Sequence, residues 1–272
     1  MTQDQLLAVI TKYLQSRYEN IIATPNYIIA DGPLKVALVA HLDTVGQFPP
    51  HDIYYDQEKK VMWSPDLLGA DDRAGVLGII EIIESGYRPC VIFTTNEEIG
   101  CVGAQTLITQ HKSYPFGKLK AIIQLDRRGK DDCVFYGCNN KEFIKYISKF
   151  GFRLNHGTFS DISVIAPAWK VCAVNLSIGY ENEHSNIEIL HTDWYEETIE
   201  KVRKILDKAL DMKQYVYTGT NLSLFSYSAL EPANDNQCFI CGCRLTPKTR
   251  VKTPDDYYAC KNCYELCYLS PY

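Results

Sequence analysis

No stretch of this chain approaches the roughly 18 consecutive apolar residues of a membrane span. Its opening Met1-Thr2-Gln3-Asp4-Gln5 lacks the basic and apolar regions of a secretory leader. A cytoplasmic protein without a membrane partner is therefore expected. Positive charge is not in excess either, because 28 Lys and Arg face 33 Asp and Glu, for a net charge of −5. That balance argues against a protein whose whole surface binds nucleic acid. Internal repeats and low-complexity tracts are absent, which sets aside repeat architectures. The eleven cysteines are odd in number. The missing leader and an apolar content of 46%, ample for a core, argue against a secreted disulfide scaffold. The sequons at Asn175 and Asn221 then carry no meaning. A length of 272 residues gives one large or two small domains.

What the chain does have is five short motifs rich in His, Asp and Glu. They are His41-Leu-Asp43-Thr-Val, Gly69-Ala-Asp71-Asp72-Arg73-Ala-Gly75, Asn96-Glu97-Glu98-Ile-Gly100, Gln124-Leu-Asp126 and Asn182-Glu-His184-Ser185. Several follow apolar, β-branched runs, such as 34–40 before His41, 90–95 before Glu97 and 121–125 before Asp126. Sites in open α/β sheets assemble at such strand ends. Imidazole and carboxylate suit zinc, and a catalytic site needs open positions for water and substrate. Several carboxylates among few histidines point to two ions sharing a bridging carboxylate.

In order and wording these motifs resemble the co-catalytic zinc exopeptidases of peptidase clan MH, the group of peptidase T, aminoacylase, acetylornithine deacetylase and related aminopeptidases. The resemblance runs from about residue 40 to 188. It implies an α/β fold, a mixed β-sheet flanked by helices, and two catalytic Zn2+, or another divalent ion such as Co2+ or Mn2+. By the resemblance Asp71 would bridge the ions, His41 and Asp126 would complete one site, and Glu98 and His184 the other. Glu97 would be the general base, and Asp43 would accept the second ring N–H of His41 and fix its tautomer. Paired ions lower the proton affinity of water held between them. Glu97 would take that proton and return it to the departing amine. The expected substrate is a small peptide or N-acyl amino acid.

The chain departs from these relatives in one respect. Peptidase T and the deacylases insert a lid or dimerisation domain after the carboxylate matching Asp126, yet only 57 residues separate Asp126 from His184. The aminopeptidase branch has its insert between His and bridging Asp, where this chain has 29 residues. A catalytic core without a lid is expected over 1–213, and substrate contacts must come from elsewhere. Arg127 and Arg128 are candidates for clamping a substrate carboxylate, or are paired surface arginines. His156 is a candidate for oxyanion stabilisation, and Tyr180 for the pocket. His51 and His111 read as solvent-facing, and His191 as structural, before a helix that Thr192 or Asp193 can cap.

Local patterns place the elements. Thr2 and Gln5 can form a capping box on a first helix carrying Leu6, Ile10, Tyr13 and Tyr18. A hairpin is expected within 48–65, and a helix over 71–85 whose first turn carries Asp71. Further on the pattern predicts a helix near 141–150, a strand at 171–177, and a long helix over 192–212 with Tyr195, Ile199, Val202, Leu206 and Leu210 on one stripe. Cys90, Cys101, Cys133, Cys138 and Cys172 read as buried hydrophobes.

The other six cysteines fall in the last 35 residues. Cys238-x-x-Cys241 and Cys260-x-x-Cys263 are separated by eighteen residues, the spacing of a zinc ribbon with one structural Zn2+. Cys243 and Cys267 are spare. The ribbon is assigned to 238–272 and a polar linker to 214–237. Arg244, Lys248, Arg250, Lys252 and Lys261 are diluted by Asp255 and Asp256, which favours a structural or protein-docking ribbon over nucleic-acid contact. The alternative to an enzyme is an interaction module in which hydrolase fold and ribbon dock a protein or nucleic acid. The intact Glu97 and ligand set weigh against it.

Overall fold

A computed structural model of the chain describes residues 1–46, 48–157, 159–219, 244–252 and 258–264, the side chains of 262 and 263 excepted. The chain begins with α1 (Gln3–Gln15), where the Thr2 hydroxyl accepts the Gln5 N–H and the Gln5 side chain accepts the Thr2 N–H, the expected capping box. It continues through β1 (Ile21–Ala23), β2 (Tyr27–Ala30), β3 (Val36–His41), the hairpin of β4 (Tyr54–Asp56) and β5 (Val61–Trp63), α2 (Ala70–Glu84), β6 (Cys90–Thr94), α3 (Val102–Gln110) and β7 (Ala121–Arg127). Next come β8 (Asp132–Val134), α4 (Lys141–Ser148), β9 (Arg153–Leu154), α5 (Asp161–Trp169), β10 (Ala173–Ser177), β11 (Tyr180–Glu181), β12 (Ile189–His191) and α6 (Thr192–Asp207). Later, β13 (Arg250–Lys252) and β14 (Tyr258–Cys260) pair antiparallel ahead of α7 (Lys261–Tyr264).

The apolar runs form a mixed eight-stranded sheet in the order β1-β2-β6-β3-β7-β10-β8-β9. Its centre is parallel, β3 lying between β6 and β7, with β10 beyond β7. These strands read as unbroken apolar runs because both faces are covered. Along β3, Val36, Leu38 and Ala40 enter one core, while Ala37 and Val39 enter the other. The first core is covered by α1, α2, α4 and α6, the second by α3 and α5. A second sheet, β11-β12-β5-β4, is antiparallel and holds the expected hairpin.

Several expectations shift. Asp71 and Asp72 precede the regular part of α2: their φ/ψ angles are non-helical and the peptide between them is cis. The last long helix stops at Asp207, so Leu210 falls beyond its apolar stripe and is 70% exposed. The segment assigned to the linker begins docked: Tyr215 is buried, its N–H bonds the Lys120 carbonyl, and Val216 bridges Val171. Between β7 and β10 the chain forms β8, α4, β9 and α5, and its two strands extend the main sheet. Cys90, Cys101, Cys133, Cys138 and Cys172 are all buried. Of the ribbon residues, Cys260 ends β14, whereas Cys238, Cys241 and the Cys263 side chain lie outside the described residues.

Candidate metal centre

Parallel strands β6, β3 and β7 end side by side, and their C-terminal ends carry the polar residues. His41 is the last residue of β3, Asp126 is the penultimate residue of β7, and Glu97 and Glu98 follow β6. Asp71 enters from the start of α2, and His184 from the connection between β11 and β12. Two groups of ligand atoms result, each drawn within 4.8 Å: His41, Asp71 and Asp126, and Asp71, Glu98 and His184. Asp71 belongs to both. Its Oδ1 lies 3.2 Å from His41 Nε2 and its Oδ2 lies 3.1 Å from His184 Nε2. Asp126 Oδ1 is 3.5 Å from His41 Nε2, and Glu98 Oε1 is 3.0 Å from His184 Nε2.

A set of orienting hydrogen bonds surrounds these groups. Asp43 approaches His41 Nδ1 at 3.2 Å and accepts the backbone N–H groups of Glu97 and Glu98, both at 3.0 Å. One carboxylate thus fixes the imidazole and the turn carrying the two glutamates. Asp72 accepts the His41 N–H and, through its other oxygen, the Gly75 N–H. Gly75 is required for this approach, since a Cβ there would run into the Leu125 carbonyl oxygen and the Asp72 carboxylate. Asp126 Oδ2 accepts from Gln124 at 2.9 Å and Ser160 at 3.1 Å, and its N–H donates to Asn175. Buried Glu188 accepts the N–H groups of Gly69 and Asp71, which fixes the backbone under the shared carboxylate.

Glu97 has different neighbours from Glu98. The Cys101 thiol donates to Glu97 Oε1 at 3.6 Å, and the fully buried Asp161, which accepts the Thr94 hydroxyl, lies near both. Burial, reinforced by the charges of Asp126, Asp161 and Glu98, pushes the Glu97 carboxyl up to about 9. Burial likewise lifts Glu98 to about 7 and Asp126 to about 6. Burial would also raise Asp71, but hydrogen bonds from His184 and His41 hold it below the usual carboxylate range. The hydrogen bond to Asp71 carries His184 up to about 9. Among the described residues no Lys or Arg pairs with Asp71, Glu97, Glu98 or Asp126. Carboxyls raised by burial and imidazoles raised by carboxylates mark a cluster short of positive charge. Neutral imidazole nitrogens and carboxylate oxygens are the donors that divalent zinc takes, and such ions would supply the missing charge.

The remaining candidates separate. Tyr180 is buried and donates to Asp126 Oδ1 at 3.2 Å, the oxygen that faces His41. Arg128 is exposed and paired with Glu183 at 2.9 Å, and Arg127 faces Asp132 at 3.8 Å. His156 is exposed on the loop after β9, with its N–H on the Asn155 side chain. His51 is exposed beside Asp66, but His111 is half-buried against Tyr27. His191 stacks on Trp194 and bonds Glu181; it is itself the N-cap of α6, so neither Thr192 nor Asp193 caps. Sequence reasoning missed Asp72, Ser160, Asn175 and Glu188. Asp72 stands within a motif already noticed and Ser160 lies four residues after His156, whereas Glu188 and Asn175 carry no local signal.

The family model described as Peptidase family M28 matches residues 20–162. None of the curated proteins matches the chain. Among solved structures, aminopeptidase PepT from Bacillus cereus is similar with a TM-score of 0.61 and 16% identity, the match covering 77% of this chain and 94% of that one. A tripeptidase from Staphylococcus aureus gives 0.62 at 12% identity, and a TET aminopeptidase from a marine-sediment Thaumarchaeota archaeon 0.59 at 12%, with the same two coverages. At these identities the likeness is one of fold.

Proposed function

The chain belongs to peptidase family M28 and is a zinc metallopeptidase, and from that premise we propose that it is an exopeptidase cleaving a terminal amide bond of small peptides. N-acyl amino acids are the alternative substrate. That neighbours of like fold are aminopeptidases and a tripeptidase supports the peptide reading. The observation that carries the proposal is the shared carboxylate, with one Asp71 oxygen turned to His41 and the other to His184. On this reading His41, Asp71 and Asp126 hold one ion, and Asp71, Glu98 and His184 hold the other. Two zinc ions there would supply Lewis acidity toward the water and the scissile carbonyl.

The chain's own residues do the rest. Asp43 fixes the His41 tautomer and, through the Glu97 and Glu98 N–H groups, the position of the base. Glu97 takes the proton of the attacking water and passes it to the departing amine, one carboxyl acting in two steps. It suits that task because it is adjacent to a ligand without belonging to either ligand group. Arg128 and Arg127 remain candidates for a substrate carboxylate near His184, where Arg128 would have to leave Glu183. His156, on an exposed loop, remains a candidate oxyanion donor only if that loop closes over the centre. For the tail we assign a structural zinc to Cys238, Cys241, Cys260 and Cys263, in a protein-docking ribbon over 238–272, with the catalytic domain extending to about residue 219.

One preparation tests both assignments. Zinc-loaded Glu97→Gln should lose roughly 10²- to 10⁴-fold in kcat on di- and tripeptides while metal analysis still finds about three zinc ions per chain. Near-normal turnover by that variant would refute Glu97 as the base. Cys238→Ser should lower the zinc count by about one and leave the catalytic pair in place; an unchanged count removes the ribbon zinc.

A further inference from the structure

Cys138 and Cys172 differ from the other buried cysteines. Their sulfurs lie 3.3 Å apart, brought together across 34 residues of sequence, one between β8 and α4 and the other just before β10. The backbone N–H groups of Asn140, Thr218 and Ala173 converge on the Cys138 sulfur, a set of donors that favours a negative sulfur. Hydrogen bonding to Cys172, together with these groups, outweighs burial and holds the Cys138 thiol below its usual range. Cys172 goes the other way, pushed up by its hydrogen bond to Cys138 and by burial. Burial also pushes up Cys90 and Cys101. A readily ionised thiol beside a protonated one is the arrangement of an attacking sulfur and its resolving partner. The cover over the pair is thin. Cys172 Sγ lies 3.1 Å from the Val216 carbonyl oxygen and the Thr218 N–H meets Cys138, yet Val216 and Thr218 are themselves exposed. The stretch 215–218 is joined to Val171 by an isolated bridge at Val216, so a local opening there brings solvent to the sulfurs.

We propose that Cys138 and Cys172 are an oxidisable dithiol, which hydrogen peroxide closes reversibly to a disulfide, loosening the stretch 215–218 that covers it. The Cys138 thiolate attacks one peroxide oxygen, the O–O bond breaks, and the departing hydroxide takes a proton to leave as water. Cys138 then carries a sulfenic acid. The Cys172 sulfur attacks it, the S–S bond forms and the S–O bond breaks, and the second hydroxide leaves as water with the Cys172 proton. Two thiols are oxidised by two electrons and one peroxide is reduced to two waters. Closure takes the Cys172 S–H from the Val216 carbonyl and the negative sulfur from the Thr218 N–H. The Val216 carbonyl keeps the Asn140 side chain, and Tyr215 keeps the Lys120 carbonyl, so the stretch is loosened and not released. Through it the catalytic domain continues into the cysteine-rich tail.

The test treats the zinc-loaded full chain with equimolar hydrogen peroxide, blocks remaining thiols with an alkylating agent in denaturant, and maps the cysteines by mass spectrometry. A linked Cys138–Cys172 peptide should form at least about tenfold faster than Cys90 or Cys101 is oxidised, and dithiothreitol should restore both thiols. Mapping by residue keeps this reaction apart from any at the tail cysteines. In Cys172→Ser, dimedone should trap a sulfenic acid on Cys138; in Cys138→Ser, none should form on Cys172. The linked peptide is read in the wild type, so the test stands even if a variant fails to fold. Amide hydrogen exchange over 213–219 should be about tenfold faster in the disulfide form. Oxidation of the pair no faster than that of Cys90, or a sulfenic acid on Cys172 in Cys138→Ser, would overturn the dithiol. Unchanged exchange over 213–219 in the linked protein would overturn its hold on the covering stretch.

Discussion

His41, Asp71 and Asp126 meet at the buried ends of β3 and β7, whereas Asp71, Glu98 and His184 meet at the solvent edge. The His41 side chain is 1% exposed and that of His184 is 48% exposed. In the buried trio both strand-borne ligands are held by further side chains, His41 by Asp43 and Asp126 by Gln124, Ser160 and Tyr180. In the open trio His184 sits in a connection at φ 63, and its ring meets Asp71 and Glu98 through Nε2. The contrast implies a division of labour. A site whose ligands are pre-oriented gives up less entropy on binding metal and exchanges it slowly. On the proposed assignment the open position, whose histidine side chain is 48% exposed, should exchange its ion first.

The strongest way to break this comparison is to remove ligands one at a time. Asp71→Asn takes a charged oxygen from both trios and should empty both catalytic positions, abolishing activity. His184→Ala should empty only the open position, and His41→Ala should disturb the buried one most. Metal content after gel filtration, together with rates of zinc loss to a chelator, measures this. In the wild type, chelation should be biphasic, with the fast phase absent in His184→Ala. A single phase in the wild type, or loss of both ions in His184→Ala, would mean that the trios do not behave as separate sites.

The residues of both trios stand in motifs visible in the chain, but the apolar strand pattern placed only His41 and Asp126 in the fold. His41 and Asp126 close apolar runs that read as interior strands, so their place at the C-terminal ends of central strands followed from pattern alone. The open trio depends on β11 and β12, of two and three residues, which pair with each other and, through β12, with β5 from far along the chain. Such short strands leave no periodicity to detect. Glu188 is legible only in three dimensions, because its role is to accept two N–H groups more than a hundred residues away. The contact of Tyr180 is hidden for a related reason: a Tyr beside a ligand motif can face a pocket or hydrogen-bond a ligand, and only packing decides. The docking of Tyr215 and Val216 escaped notice because a single bridge has no sequence signature.

A pH experiment sharpens the comparison further. In the metal-free centre, burial lowers the tendency of His41 to protonate, but hydrogen bonds to Asp126, Asp43 and Asp71 outweigh this and hold its pKa well above that of a free histidine. His184 is carried up to about 9 by its bond to Asp71. Both imidazoles are therefore protonated near neutrality without metal, and zinc must displace those protons. Affinity should rise with pH through the range up to about 9, by up to about tenfold per pH unit for each proton displaced. Calorimetry in buffers of different ionisation enthalpy should show net proton release on zinc binding at neutral pH, smaller in His184→Ala. Zinc binding without proton release would contradict the protonated apo centre.

The smallest effect is expected beside the buried site, at Tyr180. Its hydroxyl donates to Asp126 Oδ1, but Asp126 also accepts from Gln124 and Ser160. Removing one donor of three weakens the orientation of the carboxylate without freeing it, and Phe fills the same buried volume. Orienting partners of metal ligands contribute about 10- to 100-fold to metal affinity when they act alone, so Tyr180→Phe should cost less than about tenfold. The loss should fall on the slow phase of chelation, which reports the buried ion, and leave the fast phase as it is. A change confined to substrate KM would instead put the Tyr180 hydroxyl in contact with substrate. A change in the fast phase alone would place it with the open trio, against its position 3.2 Å from Asp126.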